Sequence, residues 1–161
     1  MVGYINRNGL ASHAQPPPEL FARIEDYKSI VCSDLPRSIE SADLLSLNKN
    51  RIIDKLFREA ELPAWNHSGI RLPPVLWTAF LRTLWFTGYS SGCASMAETK
   101  SRAAQAAQAL SEMAEKNRSV IFVGHGFLNR YIAKELLADG WCGPSSPLSG
   151  YWSLSNYTKR H

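Results

Sequence analysis

The stretch from Ser119 to Arg130, SVIFVGHGFLNR, constrains the fold more than any other part of the sequence. It begins with a short apolar run rich in β-branched residues, which predicts a buried strand. The run stops at Gly124-His125-Gly126, and from Phe127 to Ala138 apolar residues recur at helical spacing. A strand, a tight turn and a helix in this order are typical of open α/β sheets, which bind ligands at the carboxyl ends of their strands.

His125 is therefore the first candidate functional residue. It stands between two glycines, so no neighbouring side chain blocks its approach to an anion. The helix that follows offers free backbone N–H groups and the positive end of its dipole. A packed, hydrogen-bonded histidine at the end of a strand is the alternative interpretation.

A second stretch, Ser29 to Leu45, repeats the same plan. Ile30 to Cys32 is an apolar run that predicts a strand, and Pro36 is well placed in the first turn of a helix. Either Ser33 or Asp34 can cap that helix. Arg37 then lies in the first turn, where a guanidinium beside free N–H groups can clamp a phosphate or carboxylate. The alternative for Arg37 is a surface ion pair with Glu40.

The two stretches together resemble a known family. SDLPRSIESADLL is similar to a Ser-x-x-x-Arg-x-x-x-[Ser/Thr]-Ala segment, whose fixed positions here are Ser33, Arg37, Ser41 and Ala42. VIFVGHGFLNRYIAKEL is similar to a later strand and its Gly-His-Gly turn. From about Pro16 to its end, the chain resembles the histidine phosphatase superfamily, the phosphoglycerate-mutase-like phosphatases.

The resemblance implies a fold and a mechanism. The expected fold is a three-layer α/β/α sandwich with a mostly parallel sheet and helices on both faces. The expected activity is that of a metal-independent phosphatase that transfers the phosphoryl group of a small phosphorylated molecule to a histidine. Arg37 and His125 are expected to hold the phosphate, His125 also serving the catalytic step. Neither a metal nor a cofactor is implied.

A glutamate shortly after a leucine serves the family as proton donor to the leaving oxygen. The segment that follows the strand predicted at Ile52 to Leu56 resembles that region, so the resemblance assigns the role to Glu59. Glu61 competes for it. A solvated glutamate paired with Arg58 or Lys55 is the alternative.

The N-terminal residues depart from the family pattern. The family begins with a strand that ends in Arg-His-Gly, and this histidine is the nucleophile. The nearest match here is Arg7-Asn8-Gly9, and its preceding residues make a poor strand because they include Gly3 and Asn6. Val2, Ile5 and Leu10 instead predict a short helix that ends near Gly9. The expectation is a chain without the Arg-His-Gly strand, and His13 is a substitute by residue type only.

Two functions follow from this departure. In the first, the chain is a shortened form of a phosphatase. In the second, it is a catalytically inactive protein that binds phosphate or serves as a scaffold on the same fold. A missing central strand would leave two unpaired sheet edges, which predicts a homodimer that covers them.

Composition restricts the remaining possibilities. A chain of 161 residues with 45% hydrophobic residues predicts one domain over residues 1–161. The net charge of +4 suits a small anionic ligand and includes no basic run that would favour nucleic acid. No apolar run is long enough to span a membrane, and three cysteines without metal spacing favour the reducing cytoplasm. Aromatic residues between Trp65 and Tyr89 predict ordinary core or a segment that covers the substrate.

Overall fold

The computed structural model describes the backbone of residues 2–6 and, with their side chains, residues 15–45, 49–65, 69 and 73–159. The chain divides into two compact units. The first unit comprises Met1–Glu59 and Ala103–His161, and the second comprises Ala60–Arg102. The single domain predicted over residues 1–161 stays a prediction.

The first unit is built on one six-stranded sheet. Its strands lie in the order β3-β2-β4-β1-β6-β5. The first four run parallel to their neighbours, whereas β6 is antiparallel to β1 and β5 is antiparallel to β6. The strands are β1 (Val2–Asn6), β2 (Ser29–Cys32), β3 (Asn50–Ile53), β4 (Val120–Gly124), β5 (Trp141–Cys142) and β6 (Ser153–Lys159).

Helices cover both faces of this sheet, as predicted. They are α1 (Pro18–Ile24), α2 (Pro36–Leu45), α5 (Gly126–Ala138) and the part of α4 (Met96–Asn117) that follows Arg102, and a 3-10 turn covers Lys55–Phe57. Successive strand residues face opposite layers. On β4, Phe122 packs with residues of α4 and α5, whereas Ile121 and Val123 pack with residues of α1 and α2. The three-layer α/β/α sandwich with a mostly parallel sheet is therefore confirmed.

The N-terminal segment requires the main correction. Val2–Asn6 forms strand β1, not the predicted short helix. It lies between β4 and β6, with Val2 in register with Val120 and Asn6 in register with Gly124. Hydrogen bonding to a neighbour on each side outweighs the weak local strand propensity, because strand formation depends on context more than on sequence. The strand position is thus filled, although by residues that carry no Arg-His-Gly sequence.

This correction changes two expectations. The described sheet is continuous across the β1 position, so unpaired sheet edges no longer argue for the homodimer, which stays a prediction. Arg7-Asn8-Gly9 follows β1 directly in sequence, which removes the objection that no strand precedes it. These three residues and His13 lie outside the described residues.

The C-terminal strand also differs from the prediction. The alternating pattern of YWSLSNYT predicts an edge strand, and a strand does form at Ser153–Lys159. It is not at the edge, because the two-residue strand β5 pairs with its outer side. The alternating pattern indicates that one face of the strand is buried, but it does not indicate which strands pair with it.

The second unit contains α3 (Pro74–Phe86) and the first turns of α4. Four of its aromatic rings pack together, with centroids 5.3–6.4 Å apart: Trp65, Trp77, Phe80 and Tyr89. The indole N–H of Trp85 donates to the carbonyl of Ala94 at 2.8 Å, and the Arg82 guanidinium lies 5.1 Å from the centre of the Trp85 ring. None of the helices in the described ranges combines the length and the apolar character needed to cross a membrane.

Candidate active site

His125 occupies the junction between β4 and α5. It is the N-cap residue of α5, with extended backbone angles of φ −121° and ψ 141°, and only 3% of it is exposed. Its side chain does not cap the helix. Instead, Nε2 lies 2.8 Å from Oγ of Ser33, the residue that follows β2. The imidazole is therefore held at the carboxyl edge of the sheet, as the sequence predicts.

A serine network joins this edge to the first turn of α2. The backbone N–H of Ser33 donates to Oγ of Ser38 at 3.2 Å, and the Ser38 hydroxyl donates to the carbonyl of Val123 at 3.0 Å. Both serine side chains are buried. The turn that carries Arg37 is consequently tied to the end of β4, and the Arg37 side chain is exposed. Binding of phosphate by Arg37 and His125 stays a prediction.

Glu59 caps the N-terminus of α5. Its Oε2 accepts the backbone N–H of Phe127 at 3.2 Å, and its Oε1 accepts that of Leu128 at 3.0 Å. A carboxylate at this end of a helix is stabilised by the unpaired N–H groups and by the helix dipole. The residue predicted as proton donor therefore accepts from N–H groups two and three residues after His125, in the position of a capping anion. Its proton-donor role stays a prediction, and Glu61 belongs to the second unit.

An ion pair completes the connection between these segments. Nε and Nη2 of Arg58 each donate to a carboxylate oxygen of Asp34 at 2.6 Å. The hydrogen bond from Arg58 lowers the pKa of Asp34 below its ordinary value of 3.8. The pair therefore stabilises the fold above that pH, and its contribution is lost as the pH falls through the lowered pKa. On the other side of Asp34, the backbone N–H of Leu35 donates to Oγ of Ser33 at 3.4 Å.

These contacts form a closed ring around His125. The Ser33 hydroxyl is hydrogen-bonded to the imidazole of His125. The Glu59 carboxylate accepts hydrogen bonds from the first turn of the helix that follows. Asp34 and Arg58, which adjoin Ser33 and Glu59 in the sequence, form an ion pair with each other. Sequence reasoning assigned no role to Arg58 beyond a pairing with Glu59. The signal was available, because Asp34 follows β2, Arg58 comes shortly after β3, and these are adjacent parallel strands.

Replacing Glu59 with glutamine should lower the stability of the fold. An amide offers one accepting oxygen, so one of the two helix N–H groups would face an NH₂ group and the capping charge would be lost. We expect a loss of about 1 kcal/mol in the free energy of unfolding, measured by urea denaturation. Glu61→Gln is the matched control because Glu61 is exposed. Equal stability of the two variants would contradict the capping role.

Comparisons with known proteins find solved structures with similar folds. Similar folds occur in the structure of the open reading frame Rv3214 from Mycobacterium tuberculosis (TM-score 0.58, 20% identity, 83% of this chain and 76% of that chain) and in mycobacterial glucosyl-3-phosphoglycerate phosphatase Rv2419c (0.52, 21%, 86% and 76%). A structure described as mycobacterial hydrolase 2 is also similar (0.52, 19%, 97% and 87%). At these identities the likeness concerns the fold.

A search of curated proteins finds no match. The sequence profile of the histidine phosphatase superfamily (branch 1) matches residues 6–149, which is most of the chain. That match covers the strand ends from which the ring around His125 is built. The chain belongs to the histidine phosphatase superfamily.

Proposed function

We propose that this chain binds the phosphate group of a small phosphorylated molecule at the ring around His125 and does not itself form a phosphohistidine. The observation that carries the proposal is the placement of His125 against Ser33, at the N-terminus of a helix and at the carboxyl edge of a parallel sheet. An imidazole, a hydroxyl group and the positive end of a helix dipole at this edge of the sheet favour an anion.

Arg37 supports the same ligand. It lies in the first turn of α2, one residue before Ser38, whose hydroxyl is bonded to the end of β4. An exposed guanidinium at this place can bind two oxygens of a phosphate at once. The net charge of +4 adds a general attraction for anions.

The part of the proposal that excludes a phosphohistidine is supported by the sequence after β1. The family places its nucleophilic histidine in an Arg-His-Gly sequence at the end of the first strand, and here Arg7-Asn8-Gly9 follows Asn6. The amide of asparagine is not a nucleophile of this kind. In the sequence, the second residue after β1 is Asn8 and not a histidine.

A metal-independent phosphatase is the second candidate, in a shortened form or with another nucleophile such as His13. It is favoured by one observation, the position of the Glu59 carboxyl group beside the helix that His125 precedes. An acid at this place can protonate a leaving oxygen once a ligand displaces it from the backbone N–H groups. Turnover of p-nitrophenyl phosphate separates the two candidates.

Vanadate binding tests the proposal directly. We expect His125→Ala to raise the dissociation constant for vanadate about tenfold or more, because a hydrogen bond to a charged group is lost. Isothermal titration calorimetry of the whole chain at mildly acidic pH measures this dissociation constant. Arg37→Gln should weaken binding similarly.

Arg51→Gln is the matched control for Arg37→Gln. It removes the same charge from a residue that pairs with Asp43 and takes no part in the ring. If the two arginine variants weakened vanadate binding equally, general attraction would explain it and the proposed site would be wrong. Unchanged binding in His125→Ala would contradict the proposal in the same way.

A further inference from the structure

Asn129 is a buried polar residue whose side chain lacks hydrogen bonds. Only 1% of it is exposed, and neither Nδ2 nor Oδ1 has a partner among the residues that the structure describes. Buried amide groups in folded proteins are nearly always hydrogen-bonded, because a buried donor or acceptor left unpaired costs the free energy of its lost hydration. The side chain therefore needs an explanation.

Its position connects it to the ring around His125. Asn129 lies one helical turn after His125, and its backbone N–H donates to the His125 carbonyl at 2.9 Å. Its Oδ1 fills the space that a side chain on Gly124 would occupy, at 2.1 Å from an ideal Cβ there. Gly124 is in register with Asn6 in the last residue pair between β4 and β1. The amide thus lies at the level where the strands end and His125 begins.

The surroundings would suit an apolar residue better. Leu128, Ile132 and Ala133 on the same helix are fully buried in the core. Leucine has nearly the shape of asparagine and carries no polar atom that burial would penalise. Residues that break a local rule of this kind occur at functional sites, where stability is lost for the sake of binding.

We propose that Asn129 is a further ligand-binding residue, whose amide group donates from Nδ2 to an oxygen of the bound phosphate. The inference rests on the proposed function and adds a neutral donor to its charged groups. Because the amide is 1% exposed, it serves only a group seated at the strand ends inside the site. A neutral amide beside cationic groups donates a directional hydrogen bond to a phosphate oxygen and adds no further charge to the site.

The test is Asn129→Leu in the whole chain, with thermal unfolding and vanadate titration on the same samples. We expect the melting temperature to rise by about 2–4 °C because an unpaired buried amide is removed. We expect the dissociation constant for vanadate to rise about tenfold. Thr99→Val is the matched control, since Thr99 is also buried with an unpartnered hydroxyl among the described residues, but it belongs to the second unit. It should leave vanadate binding unchanged.

Three results would overturn the inference, and they differ from one another. Unchanged vanadate binding in Asn129→Leu would make the amide an uncompensated defect of the core. A lower melting temperature would mean that the amide already has its partner in the folded chain. No vanadate binding by the wild-type chain would overturn the proposed function together with the inference. If the leucine variant fails to fold, the dissociation constant of Asn129→Ala decides between these results.

Discussion

The chain is expected to hydrolyse p-nitrophenyl phosphate about 10⁴- to 10⁶-fold more slowly than a phosphohistidine mechanism allows, because loss of a covalent nucleophile leaves only positioning and electrostatics. His125 is hydrogen-bonded to Ser33 at the N-terminus of α5. In the proposed function the ring around His125 binds and orients a phosphate, but a second group must attack phosphorus in line. Stopped assays without added metal measure the rate.

Trapping of a covalent intermediate makes this prediction sharper. The chain is mixed with radiolabelled phosphodonor and quenched in alkali, which preserves phosphohistidine, and no label is expected on the protein. His125→Ala should lower the residual rate further and weaken vanadate binding, because the proposed site uses His125 to position the phosphate. Label on the protein, or turnover that disappears in His13→Ala, would show that a nucleophile is present and would favour the phosphatase candidate.

A variant of Asn8 tests whether the missing nucleophilic histidine accounts for the expected lack of turnover. Asn8→His restores an Arg-His-Gly sequence directly after β1. A gain of turnover that also depends on His125 would identify Arg7-Asn8-Gly9 as the degenerate copy of the family motif. No gain, in a variant that still folds and binds vanadate, would mean that the family's first strand is not replaced in function by Val2–Asn6.

The sequence predicts those parts of the candidate site that depend on patterns of residues close together in the chain. His125 and Arg37 each follow an apolar strand and open a helix, and the order of strand, turn and helix brings both to the carboxyl edge of one sheet. Glycine and proline at the turns and helical spacing after them are visible in short windows.

The parts that the sequence does not predict depend on distant partners. Strand β1 contains Gly3 and Asn6, and only its ladders with β4 and β6 make it a strand. The Arg58–Asp34 pair joins residues 24 positions apart, and Glu59 reaches N–H groups 68 and 69 positions away. Asn129 lies within a predicted helix, but the absence of a partner for its amide appears only once the surrounding residues are placed.

Replacing Gly124 with alanine is expected to destabilise the fold by about 1–3 kcal/mol, as overpacking of a core does. An ideal Cβ on Gly124 would lie 2.1 Å from Oδ1 of Asn129 and 2.5–2.7 Å from ring carbons of Phe122. The Phe122 ring is fully buried and packs against Phe57 at a centroid distance of 5.0 Å, so it has little room to move. Urea denaturation measures the loss.

The control and the double variant assign this effect to the contact between β4 and α5. Gly150→Ala should be nearly neutral, because its added Cβ would meet no atom closer than 3.9 Å. Gly124→Ala combined with Asn129→Ala removes the amide but leaves the Phe122 ring, so we expect only part of the lost stability to return. Full recovery would mean that Asn129 alone forbids a side chain at position 124. A neutral Gly124→Ala would mean that α5 can move away from the strand end. The ring around His125 would then not be rigid enough to hold a phosphate by position, because His125 lies between this glycine and that helix.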